Sequence, residues 1–581
     1  MSSERPVVAF INVPTVFYDQ ILDIGAPPPF LCMPLGLMYL SSALKRFSKA
    51  SEVFCIDYLV AADMLHEAAA DAAQDLSAYK DGPDRFVVET ALAAAGARVP
   101  YVIAVSLNMA TMFPISLQIV EGLSRLWKDA LVVYGGNYAT NNVEYLLSHP
   151  VIDYVCRGEA DLAFPEFINA LSQTRWPSVK GFYSKKDIED GKAVSDKCDH
   201  PEDLDELPFP DGNLIDVNAY QTAKAKRKTV FLTKKEAGNF SILTTRGCPC
   251  QCTFCASHTV HCRKVRCRSV KNVLAEMRQI YDRYGATVFV PEDDMFVVNK
   301  KRTLELLKGI KGLGIPDLEM QFFSGFSVNT LDEEIVDALC GAGMNIFRIA
   351  VESGSPYTQE HIIKKHVNLD LARRLVRYAN SRNLYTRVNF IIGFPNEKRG
   401  HVQETINYIK TLDADWNAIF VATPILGSEM FEQFHAMGVF DFETRNWEKN
   451  FIQREFDAGD FTAEELVELA YQTNLEVNFI RNRQMRLGDW ELALAVFNDV
   501  INLHSYHVIA HYQKLLCLER LGRHEEARSC LMHIHHIVTT LKSPAEMLRK
   551  YGDMVPDLIG RLRGEFNYPT DEDRRKERVA K

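Results

Sequence analysis

The first two hundred residues alternate short apolar, β-branched runs with stretches of helical periodicity. Val7–Val13, Val53–Asp57, Val102–Ser106, Leu131–Gly135 and Ile152–Cys156 read as strands, each separated from the next by enough chain for a crossover helix. That rhythm predicts a parallel, doubly wound α/β sheet whose ligand sits at the carboxyl ends of the strands. Near Pro201 the pattern breaks into the acidic, proline-bearing PEDLDELPFPD, which suits neither a regular helix nor a central strand. A second alternation follows, with strands near Phe240–Thr245, Thr287–Val290, Glu319–Ser324, Ile346–Ala350, Thr386–Ile392 and Trp416–Ala422. Six strands with intervening helices predict a partial (β/α)6 barrel with functional loops at the strand ends.

Beyond about Phe440 strand signals fade and helical periodicity takes over. Leu487-Gly488-x-Trp490-x-x-Ala493 recurs 34 residues later as Leu521-Gly522-x-His524-x-x-Ala527, the tetratricopeptide (TPR) period. An all-α, TPR-like end is therefore expected, the alternative being an unrelated helical bundle. The last stretch, TDEDRRKERVAK, reads as a charged, solvated tail.

Length and charge narrow the setting. At 581 residues the chain needs several cores, and 47% hydrophobic with 24% charged residues marks ordinary globular domains. A formal charge of −10 without a basic stripe argues against a nucleic-acid partner. No apolar run of about 18 residues predicts a membrane span, and MSSERPVVAF has no signal-type pattern, so a cytoplasmic protein is expected. Six of the 13 cysteines crowd between Cys248 and Cys267, which in such a protein points to metal or redox chemistry rather than disulfides.

Arg246-Gly247-Cys248-Pro249-Cys250-Gln251-Cys252-Thr253-Phe254-Cys255 follows the first barrel strand directly. Three thiolates at CxxxCxxC spacing reach three irons of a [4Fe–4S] cube and leave the fourth iron open for a ligand. The other reading is a structural zinc site with Cys250 or Cys262 as fourth ligand. The loop resembles the radical S-adenosylmethionine (SAM) superfamily, whose signature has an aromatic residue, here Phe254, before the third cysteine. The resemblance implies that Cys248, Cys252 and Cys255 bind the cluster and that Cys250, Cys262 and Cys267 stand outside the signature. Further segments resemble that family in order. Arg266-x-Arg268-Ser269-x-x-x-Val273-x-x-Glu276 matches the lead into the first crossover helix. The acidic turn Glu292, Asp293 and Asp294 would grip the methionine ammonium, a charge-assisted contact. Glu352, Ser353, Gly354 and Ser355 would contact ribose and methionine, with the glycine allowing close backbone approach, and Asn389 and Gly393 would lie in the motif that holds adenine.

The front domain has Leu35-Gly36 opening a helix, Ser106 and Asn108 after the third strand, Gly135-Gly136 after the fourth and Gly158-Glu159 after the fifth. With the LPFP linker they resemble the Rossmann-like cobalamin-binding domain that precedes a radical SAM barrel, and these residues are the expected cobalamin contacts. The DxHxxG histidine motif of mutase-type cobalamin proteins is absent, since Asp63-Met64-Leu65-His66 has the wrong spacing. The expected units are a cobalamin-binding-like domain at 1–200, a linker at 201–238, the barrel at 239–440, a helical connector at 441–473, TPR-like repeats at 474–545, and a final helix and tail at 546–581. The resemblance implies a methyltransferase. Cobalamin would carry a methyl group to a carbon from which a 5′-deoxyadenosyl radical has taken hydrogen. An oxidative cyclase or rearrangement enzyme shares every motif, and a non-catalytic cobalamin-binding docking protein is the third reading. Expected partners are a small-molecule or peptide substrate, a reductase such as flavodoxin or ferredoxin, and a protein bound by the helical end.

Overall fold

The computed structural model describes residues 6–14, 32–49, 52–69, 84–226, 239–440, 445, 454–566 and 568. The expected end of the linker (227–238), much of the connector before residue 454, and the charged tail lie outside these. Among the described residues no helix is long and apolar enough to cross a membrane.

Strands β1 (Val7–Asn12), β2 (Glu52–Asp57), β3 (Val102–Ser106), β4 (Leu131–Gly135), β5 (Tyr154–Cys156) and β6 (Phe182–Ser184) form one sheet in the order β2-β1-β3-β4-β5-β6. The first five are parallel, and buried runs such as VVAFIN suit a sheet covered on both faces. β6 runs antiparallel on the edge. Its three residues are too few to leave a periodic signal in the sequence. Strand order reverses at β1 and β3, so the crevice beyond Asn12 and Ser106 is the natural ligand site.

The region expected as a linker is packed as far as it is described. The Tyr220 hydroxyl donates to Asp57 (2.6 Å) and accepts from Asn12 (2.8 Å), while Asp211 accepts from Ser41 (2.6 Å) and from Lys45. The same stretch is held by the barrel side as well, where the Arg266 guanidinium donates to the Pro201 carbonyl (2.9 Å), the Ser269 N–H donates to Asp205 (2.8 Å) and the Arg268 guanidinium lies 5.5 Å from the Phe209 ring centre, so it is a packed bridge between the two domains rather than a free tether.

The second series builds a curved parallel wall. β7 (Asn239–Ile242), β10 (Val288–Pro291) and β11 (Glu319–Met320) pair in the order β11-β10-β7, and β12 (Phe326–Ser327), β13 (Ile346–Glu352), β14 (Tyr385–Ile392) and β15 (Trp416–Val421) pair in series. A parallel bridge between Met320 and Met344 joins the two groups. Between β7 and β10 a short hairpin, β8 (Thr245–Arg246) with β9 (Arg266–Cys267), brackets the cysteine loop. The helices begin where short polar side chains can cap them: Ser269, Asn299, Asp332 and Asn368 each accept a first-turn backbone N–H.

The helical end is built against the barrel. Thr462 and Glu465 form a capping box that starts helix Ala463–Asn474, which continues without a break through a π-helical turn at Leu475–Ile480. The expected boundary between 473 and 474 therefore falls inside continuous helix. Leu475 and Phe479 pack with Ile346, Tyr385, Trp416 and Ala418 of the barrel strands. Asn478, fully buried, accepts from the Asn417 N–H (2.8 Å) and donates to the Asn417 C=O (2.7 Å), so a side-chain amide covers the edge of β15. Farther on, Gly488 and Gly522 stand in left-handed turns before helices Trp490–Leu503 and His524–Thr540, with Ala493 and Ala527 buried in equivalent places. Trp490 is only half-buried, with the Arg520 guanidinium over its ring.

Replacing Asn478 with alanine leaves the Asn417 N–H and C=O buried without partners, at a cost of about 3 kcal/mol. Calorimetry should show the barrel and helices melting earlier together. Burial pulls the His507 and His511 rings down to about 4. The unfolded chain protonates them near 6.5, so their stabilising contribution is complete above that pH and is lost as pH falls toward 4. The protection of residues 483–551 against hydrogen exchange, relative to the intrinsic rate at each pH, should fall on acidification from pH 7 to 5, and His507→Gln should flatten that slope.

Candidate functional site

The cysteine loop is held from several sides. Asp293, buried, accepts from the Thr244 N–H (2.6 Å) and hydroxyl (2.7 Å) and from the Thr245 N–H (2.8 Å). Burial raises its carboxyl to about 6 against those donors. Thr253 donates through its N–H to Ile363 (3.1 Å) and through its hydroxyl to Ile362 (3.0 Å), while the Met430 N–H donates to the Thr253 carbonyl (2.8 Å). Phe254 packs against Phe394 with ring centres 5.9 Å apart.

Within this frame the thiols of Cys248, Cys250 and Cys252, and those of Cys248 and Cys255, lie near enough to perturb one another's ionisation. Contact with Cys250 raises the Cys248 thiol and lowers that of Cys252, which the Lys365 ammonium also favours as thiolate. Cys262 instead turns its thiol onto the Lys264 carbonyl. Among the described residues no three His, Cys, Asp or Glu side chains converge on one point. Cys248, Cys252 and Cys255 share one loop, with the Lys365 ammonium near Cys252 and Cys255, and three thiolates are the donor set that an iron–sulfur cube with one open iron takes.

The acidic turn splits its duties. Asp293 is consumed by the strand β7 end, and Glu292 accepts from Ser241 (3.0 Å). Asp294 is exposed beside the cysteines, accepting from the Gly247 N–H (3.2 Å) and the Ser257 hydroxyl (2.5 Å). Of the three carboxylates it is the one left exposed beside the cysteine loop.

On β13 a register shift between Ala350 and Glu352 re-aims the strand end, and Glu352 takes a left-handed φ of 68°, a strained conformation for a residue with a side chain. Lys365, which the motif reading missed, donates to Glu352 (2.8 Å) and lies 5.9 Å from the Phe254 ring centre. The expected close approach of Gly354 to a ligand is not what its geometry serves. A Cβ there would stand 2.3 Å from Tyr408 Cβ, so its missing side chain lets the strand end pack on helix Arg399–Thr411. Ser353 bonds Thr405 (2.9 Å), and Ser355 donates to Glu404 (2.5 Å). Gly393 likewise faces a helix, since a Cβ would meet Leu466 at 2.0 Å. Asn389 stays partly exposed on the barrel's inner side, between the buried Val388 and Phe390.

The front domain meets this loop across a cavity of about 460 Å³ lined by Asn108, Met109, Ala110, Asn137, Tyr138, Asn141, Phe254, Cys255, Ala256, Ser257, Pro424, Ile425 and Leu426. Its lining has no charged side chain and three asparagine amides, and Cys255 lies in its wall. Behind it, an apolar slot is lined by Phe10, Leu37, Leu40, Ser106, Gly135, Gly136, Gly158 and Phe164. Cobalamin is a neutral macrocycle with amide side arms and an aromatic tail, groups whose chemistry matches the amide-bearing lining of the cavity and the apolar lining of the slot. Of the expected contacts, Ser106, Gly135, Gly136 and Gly158 line the slot and Asn108 the cavity. Leu35 and Gly36 do not, because the helix turns Leu37 and Leu40 inward instead. Glu159 also lies elsewhere: it is 4% exposed and bonded to Arg246 (2.8 Å), Arg266 and His261 (2.9 Å). Asn137, Asn141 and Leu426 escaped the sequence reading, although Asn137 adjoins Gly136 and Pro424-Ile425-Leu426 is an apolar run after the sixth barrel strand.

Residues 242–409 match the radical SAM superfamily and residues 21–168 the B12 binding domain. An uncharacterized methyltransferase of Pyrococcus horikoshii is 31% identical over 347 residues, 59% of this chain and 71% of the relative. The chain is a cobalamin-binding radical SAM enzyme. Its cofactors are a [4Fe–4S] cluster, S-adenosylmethionine and cobalamin. The enzyme is also 25% identical over 494 residues to the cytidylyl-2-hydroxyethylphosphonate methyltransferase of Streptomyces wedmorensis, spanning 78% of this chain and 88% of that one. Its fold is like that of the radical SAM methyltransferase TsrM from Kitasatospora setae, solved with cobalamin and cluster bound (TM-score 0.54, 19% identity, 74% of this chain, 77% of the other). It is also like that of OxsB, solved with aqua-cobalamin and S-adenosylmethionine (TM-score 0.60, 13% identity, 98% and 83%).

Anaerobically reconstituted enzyme should lose its brown cluster absorbance when Cys248, Cys252 or Cys255 is replaced by alanine, and keep it in Cys262→Ala. Equal loss in Cys262→Ala with zinc in the protein would contradict the assignment.

Proposed function

We propose that this radical SAM enzyme methylates an unactivated carbon of a small molecule, with cobalamin in the inter-domain cavity. The observation that carries the proposal is that cavity itself, with Cys255 of the cluster loop and Asn108 of the front domain in one wall. Two groups that must act on one substrate carbon have to meet within near-contact distance, and a shared cavity supplies that proximity. When bound, the cluster cleaves S-adenosylmethionine to a 5′-deoxyadenosyl radical and cobalamin supplies the methyl group.

The protein's own part is position and exclusion. Cys248, Cys252 and Cys255 would hold the cluster, and Asp294 the methionine ammonium, with Asn389 facing the same mouth. Asn108, Asn137 and Asn141 would hydrogen-bond the corrin amides, while Met109, Phe254, Ile425 and Leu426 keep water from a radical. The relatives named as methyltransferases favour this reaction over cyclisation. The helical end, read as TPR-like from its repeated Gly488 and Gly522 turns, would serve a protein partner, and the loops around the cluster a flavodoxin- or ferredoxin-type reductase.

Reconstituted enzyme incubated with S-adenosylmethionine, a reductant and hydroxocobalamin should form both 5′-deoxyadenosine and S-adenosylhomocysteine. 5′-Deoxyadenosine without any S-adenosylhomocysteine would remove methyl transfer and leave a rearrangement or cyclisation.

A further inference from the structure

Residues 158–161 of the front domain face two ways. Gly158 and Ala160 line the apolar slot beside Ser106 and Gly135. Glu159 and Asp161, alternating with them, reach out of the domain to the residue that opens the cluster loop. Arg246 Nη1 donates to Glu159 (2.8 Å) and to Asp161 (2.6 Å), and its Nη2 donates to Asp161 (3.1 Å). Arg266, paired with Arg246 across the hairpin, donates to Glu159 through Nη1 (3.1 Å) and Nη2. His261 completes the ring around Glu159 at 2.9 Å, and the Arg246 guanidinium lies 5.2 Å from the ring centre of Tyr39, on the front-domain helix that lends Leu37 and Leu40 to the slot.

Every member except His261 is nearly removed from water. Burial alone would raise the Glu159 carboxyl, but His261, Arg266 and Arg246 outweigh it and hold it well below the ordinary range. Bidentate, buried pairs fix a geometry rather than merely an attraction, because a shift of either partner leaves a charge unpaired in low dielectric. The backbone that contacts one cofactor region is therefore the backbone that clamps the start of the other.

We propose that segment 158–161 couples the two cofactor sites: filling the apolar slot with the cobalamin tail sets the Glu159–Asp161 clamp on Arg246 and so orders the cluster loop, Arg246 being a positioning residue. The coupling rests on the reading that cobalamin occupies the slot. It must also be reciprocal, so the factor by which the cluster tightens cobalamin binding equals the factor by which cobalamin tightens cluster binding.

The test uses full-length protein, with hydroxocobalamin as probe, followed by its visible absorbance. Cluster-loaded enzyme should bind it at least about five-fold more tightly than cluster-free enzyme. In the cluster-free protein hydroxocobalamin should slow amide exchange over residues 247–257. Asp161→Asn, which leaves the Glu159 pairs in place, should shrink both effects together, and Arg246→Lys should shrink them as well because a lysine cannot span both carboxylates. Equal affinity with and without the cluster, or unchanged loop protection in Asp161→Asn, overturns the coupling alone. Absence of any hydroxocobalamin binding by the native chain overturns the cofactor placement as well.

Discussion

Burying a guanidinium between two carboxylates from another domain is the constraint around which the mouth of this barrel is arranged. Arg246 is the last residue of a two-residue strand and the first of the cysteine loop, a stretch with little regular structure of its own to hold it. Removing Arg246, Glu159 and Asp161 from water costs several kcal/mol per charge, offset only while the fork geometry is kept. Such a cluster adds little to net stability. What it contributes is orientation, because alternative placements of the two domains would strand a buried charge.

The same economy recurs around the site. Asp293 spends its carboxylate on the end of β7, Ser353 and Gly354 on the neighbouring helix, and Gly393 on Leu466. These residues make the strand ends rigid, and the side chains left facing the mouth are few: Asp294, Asn389 and the amides of the front domain. The inter-domain cavity is thus walled by neutral and apolar groups, with the charges around it committed largely to scaffolding.

The helices after Ala463 belong to this design as much as the strands do. A partial barrel leaves an edge strand, and an exposed edge invites pairing with foreign chains. Asn478 closes that edge with a single amide, and Leu475 and Phe479 cover the inner ends of β13, β14 and β15. The catalytic unit and the helical end are therefore one packed body over this stretch.

Local chemistry was legible in the sequence by itself. The β-α alternation determined both parallel sheets, because buried parallel strands are continuous apolar runs, and the CxxxCxxC spacing singled out the three thiols proposed to hold the cluster, because all three hang from one loop. Ser106, Gly135 and Gly158 were legible for the same reason, standing at strand ends where such folds bind ligands. The linker, the 473/474 boundary and the role of Glu159 were not. Tyr220 meets Asn12 208 residues away, Asn478 meets Asn417 61 residues away, and Glu159 meets Arg246 87 residues away. A carboxylate beside a strand-end glycine has the same sequence signal whether it faces a cofactor or an arginine. Only the tertiary structure decides, since burial and pairing depend on which distant side chain arrives at the same place.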